Sequence, residues 1–462
     1  AMGMISGKRV QVVALIASAL ALALVQPAGL NAVQARIAAA VLLTLGLWAS
    51  GVVPSYFASL ILFAVVLVFD LAPAERVFAG FGSTAVWLII SGFVIGAAIS
   101  ASGLGVVLAR ALGPLLDGSY ARMIFGLTLV AMVLGFIMPS SVGRAVVLVP
   151  IGMALAQRVG FAPGSHGRTG IAVTLAIACN MPSFAILPAN IPNMVLSGAA
   201  ETIYGAHFGY MAYLVLHYPV LGLVKSLLTA WLVLRMFPAE VVPHLAEASV
   251  AGAQGNRSAQ LRVAGVLLVT LALWMTDQLH GVNAAWVGLV AAVLLLSPGF
   301  GVVSPAAFKA SVDFGLLLFV VGALAVGALV NASGLGALIG QALQQVLPLR
   351  PGETALNFAA LTLMSMLTSV VTTVPSVPSV LTPMAQDLAQ ASGLSLQAVL
   401  MTQVVGFSTV LLPYQVAPLV VAMGLSGERL RDLGRVLWRL AVVTVVVLLP
   451  LDYLWWRVLG WL

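Results

Sequence analysis

The stretch Met138–Gly160, MPSSVGRAVVLVPIGMALAQRVG, sets a polar tip broken by proline and glycine, with one arginine, between two almost wholly apolar runs. A weaker copy, TTVPSVPSVLTPMAQDLAQASG, occupies Thr372–Gly393. Laying Pro150 on Pro383 brings Ala156-Gln157 onto Ala389-Gln390 and Gly160 onto Gly393. The match runs outward, because SGFVIGAAISASGLG (Ser91–Gly105) answers VGALAVGALVNASGLG (Val321–Gly336), and ILPANIP (Ile186–Pro192) answers LLPYQVAP (Leu411–Pro418). Self-similarity at this spacing marks a tandem duplication with the two tips as its centres.

Composition sets the class. With 62% hydrophobic and 7% charged residues over 462 positions, the chain cannot fold as an ordinary soluble domain. It reads as an all-α polytopic membrane protein, since no ten-residue alternation of an outer-membrane strand occurs. The formal charge of +7 is scattered at span ends without a basic domain, so nucleic acid is not an expected partner. Cys179 is the single cysteine, which excludes an intramolecular disulfide. Ala1–Gly3 read as an addition ahead of Met4, and Lys8-Arg9 with the apolar run Val10–Val25 reads as a first span instead of a cleaved signal.

Spans are expected near 10–26, 35–51, 53–69 and 84–109, then a hairpin at 123–158, a span broken at Asn180–Pro192 within 169–200, and a span at 210–236. The second half repeats this with spans near 261–279, 283–297 and 313–332, a hairpin at 355–391, a broken span at 396–424 and a last span at 436–459. The corresponding blocks are scaffold helices 1–83, transport elements 84–205, scaffold helices 206–312 with a polar linker at 238–260, transport elements 313–425, and a C-terminal amphipathic segment with the last span at 426–462. Each arm of the first hairpin is read as about 15 residues, short for a crossing. That makes about 11 crossings and two re-entrant hairpins. With the N-terminus cytoplasmic and the C-terminus external, most of the 20 Lys and Arg lie on the cytoplasmic side; Arg36, Arg76, Arg350 and Arg457 lie outside, and Arg144 and Lys225 at membrane depth. The halves are then inverted repeats in a cytoplasmic (inner) membrane.

A polar, broken tip at membrane depth is tolerated only inside protein or beside water. Two tips from opposite faces meeting near the midplane make a substrate site, and half-helices starting at Gly143 and near Ser379 aim their N-termini at it, which favours anions. Arg144 adds a full charge there, at a membrane cost of about 2.5 kcal/mol or more. No acidic residue lies near either tip; Asp387 is more than a turn beyond Pro383. Arg144 is therefore expected to pair with the bound anion, the alternative being a strut that caps carbonyls of the broken helices. No cofactor is expected beyond sodium as a coupling ion. A cation could bind hydroxyls and freed carbonyls at Ser140, Ser141, Gly143, Asn190 and Asn193 in one half, and at Thr373, Ser376 and the Pro413–Pro418 break in the other. His217 reads as a packed residue, and the SGLG segments as close-packing or hinge sites.

The segment Pro139-Ser140-Ser141-Val142-Gly143-Arg144-Ala145, with Val149-Pro150-Ile151, resembles the P-S-N-T-A-R-A and F-P-I pattern of the divalent anion/sodium symporter family, especially its citrate/succinate exchangers and plastid 2-oxoglutarate/malate translocators. Ala189-Asn190-Ile191-Pro192-Asn193 looks like that family's G-T-P-P-N loop, and Pro413-Tyr414 with Pro418 like its P-Y-G-T-G-P. The resemblance implies a homodimer in which scaffold domains hold moving transport domains, with the anion carried between the tips by an elevator motion. The substrate candidates are Ser140, Ser141, Val142, Gly143, Arg144, Asn190, Thr373, Ser376, Pro413, Tyr414 and Gln415. The chain departs from the pattern at Ser141, Val142 and Asn190, and Thr373-Val374-Pro375 replaces S-N-T. These changes put the second sodium site in doubt. The expected function is transport of small divalent anions, of the di- or tricarboxylate or sulfate class, by weakly sodium-coupled symport or by exchange. Two other readings are a cation/proton antiporter, which should show paired intramembrane carboxylates, and a passive anion channel. An intramembrane enzyme is not expected, since no nucleophile elbow or H-E-x-x-H occurs.

Overall fold

The apolar runs end where polar caps take over. Asn31, Ser83, Ser119, Ser165, Asn283, Asp313 and Ser395 each accept a backbone N–H from the first turn of a helix, and Gly51, Gly205, Gly393 and Gly427 close helices in the left-handed conformation. The computed structural model describes residues 2–111, 118–241 and 255–462. Among these residues there is no strand.

The first half contains α1 (Met2–Val25), α2 (Ala32–Ser50), α3 (Ser55–Val68), α4 (Thr84–Ser102), α5 (Leu104–Ala111), a hairpin of α6 (Tyr120–Ile137) and α7 (Ser141–Arg158), a broken span of α8 (His166–Ala178) and α9 (Ile191–Tyr204), and the long α10 (Tyr210–Met236). The second half contains α11 (Arg257–Met275), α12 (Ala284–Leu296), α13 (Phe314–Ala332), α14 (Leu335–Val346), a hairpin of α15 (Thr354–Thr372) and α16 (Val374–Ser392), a broken span of α17 (Leu396–Phe407) and α18 (Ala417–Ser426), and α19 (Leu430–Val458).

By length and composition, nine of the described helices can cross a membrane, or ten if α16 and α17, bent by 117°, count as one span. The expected total of about 11 crossings counts differently. The nine include the hairpin arms α6, which at 18 residues exceeds the expected 15, and α15, at 19 residues, and they omit α3 and α12, at 14 and 13 residues. Two other boundaries differ. The span at 84–109 is two helices, because Gly103 at φ +72° ends α4. The last span reaches back to Leu430, so the amphipathic segment is its first turns and not a separate element. Much of the linker at 238–260 lies outside the described residues, and its last four residues already belong to α11.

The halves exchange partners. α3 packs on α13, and α12 packs on α4. Gly322 of α13 meets Ser59 of α3 so closely that a side chain there would overlap it, and a Cβ on Gly288 of α12 would lie 3.3 Å from the Cβ of Ser91 on α4. The internal alignment equates Ser91 with Gly322, so one interface repeats the other with glycine and serine on opposite partners. Small residues let the backbones approach, which matters where lipid offers no hydrophobic drive. The SGLG segments close the exchange: Gln34 of α2 donates to Ser333 O at 2.9 Å, and Gln260 of α11 donates to Ser102 O at 3.0 Å. Each glutamine thus caps a carbonyl freed where the other half's long helix ends.

The helix α10, expected among the scaffold helices, packs mainly on the unwound loop after α8 and on α6, α8 and α19. Its contacts therefore group it with the hairpin and broken span, the physical reason being that Tyr213 and Lys225 on its buried side satisfy carbonyls of both breaks.

Candidate functional site

The first tip is built by helix starts. Ser140 caps α7, its hydroxyl accepting from Gly143 N at 3.1 Å, and this places Arg144 one turn in, fully buried. The loop between α8 and α9 carries no α-helix but two short 3-10 turns, Met181–Ala185 and Leu187–Ala189, because Pro182 and Pro188 lack the N–H that a continuing helix needs. It is folded instead by side chains. Asn193 Nδ2 donates to Ser183 O at 3.1 Å and Ile186 O at 3.0 Å, Asn190 Nδ2 donates to Ser183 Oγ at 3.0 Å, and Tyr213 of α10 donates to Phe184 O at 2.9 Å.

Arg144 joins tip to loop. Its Nε donates to Cys179 O at 2.9 Å, Nη1 to Met138 O, and Nη2 to Ser141 Oγ at 2.9 Å and Ala189 O at 3.3 Å. The expectation that Arg144 pairs with the anion does not match this geometry. The guanidinium is turned inward onto three carbonyls and a hydroxyl, so the strut describes it. Here the absence of a neighbouring carboxylate does not mean the charge is free for a ligand: helix C-terminal carbonyls carry partial negative charge and compensate it.

Ser141 lies 3.5 Å from both Asn180 Nδ2 and Ser183 Oγ, so Ser141, Arg144, Asn190 and Asn193 gather in one buried polar cluster, with half-buried Ser140 and Gly143 beside it at the start of α7. The sequence reading omits two members, Asn180 and Ser183; the segment Asn180-Met181-Pro182-Ser183 at the start of the break is the signal for them. Two acceptors in the cluster are orphaned: Asn180 Oδ1 and Asn193 Oδ1 are buried without a partner. A buried unpaired carbonyl oxygen costs about 1–3 kcal/mol, and a small cation is one kind of group that such an oxygen accepts. Val142 sits apart, 38% exposed.

The second tip differs. Thr373 holds φ +80°, a region nearly reserved for glycine, and its hydroxyl lies 3.4 Å from that of buried Ser376. The expected role of Gln415 in substrate contact does not fit its bonds. Its Oε1 accepts from Leu411 N at 2.9 Å and Leu412 N at 2.7 Å, while Nε2 donates to Ser369 Oγ at 2.9 Å, so it pins the second break to α15. Pro413 is buried, and Tyr414 is 62% exposed. The two clusters are linked by α9, which starts at Asn190 and packs on Val374–Ser376.

Beside the second break lies an open cavity of about 540 Å³, lined by Leu411, Leu412 and Pro413 and by Arg431, Arg435, Trp438 and Arg439 of α19. Positions i, i+4 and i+8 put the three arginines on one helical face. Asp432 takes Arg429 at 3.2 Å and Arg435 at 3.7 Å from the buried side. A second crevice, about 460 Å³, separates α4 and α5 from the first hairpin and is lined by Ser100, Arg110, Val146 and Pro150 among others. Both hairpins touch the SGLG segment of their own half, since a Cβ on Gly105 would lie 3.3 Å from Cγ1 of Val147 and one on Gly336 3.1 Å from Pro383 O; in the second half Gln344 also donates to Asp387 O at 2.9 Å.

Two duplicated halves that exchange partners, each with a hairpin and an unwound span whose polar atoms are buried among membrane-length helices, define a membrane transporter of the broken-helix kind. A family profile described as sodium:sulfate symporter transmembrane region matches residues 7–462, and the chain belongs to that family. A Cupriavidus necator protein described as "Membrane protein" is 26% identical over 394 residues, 83% of this chain and 76% of that one. The YdaH transporter of Alcanivorax borkumensis superposes with TM-score 0.55 at 17% identity, covering 86% of this chain and 89% of that one. MtrF of Neisseria gonorrhoeae, described among antimetabolite efflux pumps, superposes with TM-score 0.57 at 12% identity, covering 95% and 97%. At these identities the likeness is one of fold.

Proposed function

We propose that the protein is a secondary carrier of small divalent oxyanions, sulfate or a di- or tricarboxylate, in a cytoplasmic membrane. The observation that carries this reading is the cavity at Leu411–Pro413, where three arginines of α19 face the second break. Clefts lined by one sign of charge concentrate counter-ions. The first-half cluster supports one sodium ion. Asn180 Oδ1 and Asn193 Oδ1 are acceptors without donors, next to the hydroxyls of Ser141 and Ser183, and a hard cation takes about six oxygens. Arg144 positions this cluster by joining the tip to the break.

The unequal hairpins support alternating access. The first hairpin borders a crevice against α4 and α5 while the second is seated on α13 and α14, which supports a reading in which access is from the side of the first hairpin. With the positive-inside orientation that side is cytoplasmic. A homodimer moving its hairpin domains as elevators fits this asymmetry, and exchange in the manner of the citrate/succinate branch remains within the reading.

The test is counterflow in proteoliposomes across sulfate, succinate, citrate and 2-oxoglutarate, with sodium or choline outside. Saturable uptake, stimulated by unlabelled anion inside, is the expected result. Uptake that never saturates, or shows no trans-stimulation by any of these anions, defines a passive channel and overturns the carrier reading.

A further inference from the structure

Two helices, α8 and α17, end inside the bundle instead of at its surface, and each leaves a final carbonyl pointing into protein. A helix C-terminus carries about half a negative charge, and carriers with broken helices place coupling cations on such ends. In the first half the carbonyl of Cys179 receives Arg144 Nε at 2.9 Å. In the second, the carbonyl of Ser408 receives Lys225 Nζ at 2.8 Å. Cys179 and Ser408 are equivalent C-caps, but the two cations come from different places: Arg144 from the hairpin of its own half, Lys225 from α10 of the other half.

The second half keeps one orphaned buried amide oxygen, Gln403 Oε1, whose Nε2 donates to Thr382 Oγ1 at 3.2 Å, against two such oxygens in the first half. Its tip reads Thr373-Val374-Pro375, and Gln415, the amide of its break, is spent on Leu411 N, Leu412 N and Ser369. Lys225 is buried at 2% exposure and follows a π turn, Tyr218–Val224, that starts at Pro219. One extra residue in a turn rotates everything after it by about 100° relative to an unbroken helix, so the π turn bears on where Lys225 is aimed. Asp452 of α19 is wholly buried, and Lys225 is the basic group acting on it electrostatically. The arrangement is a cation on a flexible stem, a helix-end carbonyl and a buried carboxyl group at the end of the second half's broken helix.

We propose that the ammonium of Lys225 is a tethered cation standing at the Ser408 carbonyl in place of a second coupling ion, so that the carrier takes no more than one sodium. This deepens the transport reading by naming its coupling, and it is tested without transport. Purified full-length protein in nanodiscs is melted in sodium chloride, methylammonium chloride and choline chloride at equal ionic strength. Removing the side chain in Lys225→Ala opens a site for a small cation. The variant should melt lower than wild type and recover by on the order of 5 °C in sodium or methylammonium but not in choline. Lys225→Gln keeps a donor for Ser408 O without the charge and should show a sodium-dependent rise larger than that of wild type, whereas Lys225→Arg should match wild type.

A purely structural hydrogen bond predicts that Lys225→Gln answers salts as wild type does, and that result overturns the proposal. So does a Lys225→Ala protein that no small cation stabilises. If the alanine variant cannot be isolated, the glutamine variant decides alone. Shifts as expected in a protein that carries no anion would overturn the transport reading and leave the tethered cation standing.

Discussion

Replacing Arg144 by alanine removes the side chain that reaches furthest from the first tip into the first break. Four hydrogen bonds vanish, and the carbonyls of Met138, Cys179 and Ala189 lose this donor in a dry environment. At about 1–3 kcal/mol for each orphaned buried acceptor, the nominal loss is about 3–9 kcal/mol. Partial relaxation of the loop brings the expectation to roughly 3–6 kcal/mol, a large share of the 5–15 kcal/mol that holds a typical protein folded. Melting of the detergent-purified protein should fall by on the order of 10 °C, with aggregation in gel filtration. Arg144→Lys, which keeps charge and one or two donors, should fall about half as far. Bound anion should protect neither variant, because the strut faces carbonyls. An Arg144→Ala protein that melts like wild type yet no longer binds anion would refute this reasoning and return the residue to direct ligand contact.

Three further outcomes follow from the same geometry. Asn193→Leu, measured by sodium-dependent uptake and melting, should abolish the sodium response, since it deletes one orphan acceptor and the two bonds that fold the break; wild type should show a Hill coefficient of about one, and a steep sigmoid would contradict the single site. Neutralising Arg431, Arg435 and Arg439 to glutamine should raise the KM for anion by about tenfold at low salt, a gap that narrows near 1 M salt as the Debye length falls to about 3 Å; an unchanged KM removes the cavity from the anion's route. Thr373→Gly should raise thermal stability by about 1–2 kcal/mol by relieving its positive φ, with uptake kinetics showing whether that strain serves transport.

Much of the architecture is legible in residue order because the bilayer makes it so. Apolar runs of about 20 residues, Asn, Ser and Asp at helix starts, and prolines that forbid a helix are local signals. The breaks at Asn180–Pro192 and Pro413–Pro418 and both hairpins therefore fall within a few residues of where the chain places them. The duplication is equally visible in the SGLG and tip segments. Crossing counts are less so, because α3 and α12 are too short to be judged by length alone and because two hairpin arms are long enough to pass for spans.

What residue order cannot reveal is which group answers which carbonyl. Arg144 and Lys225 are recognisable from sequence as basic residues at membrane depth, and the nearest acid along the chain is far from either tip. Only the packed structure shows both turned onto the carbonyl ends of broken helices, Cys179 in one half and Ser408 in the other, with Asp452 brought beside Lys225 from more than two hundred positions away. The same holds for Gln34 and Gln260, unremarkable in sequence, which cap Ser333 and Ser102 because the halves exchange partners. Periodicity, caps and prolines act within a turn or two of where they are written, so the sequence determines the segments and their breaks. A buried charge or an unpaired carbonyl is settled by whatever tertiary packing brings within about 3 Å of it, and that was decided only when the two halves closed on each other.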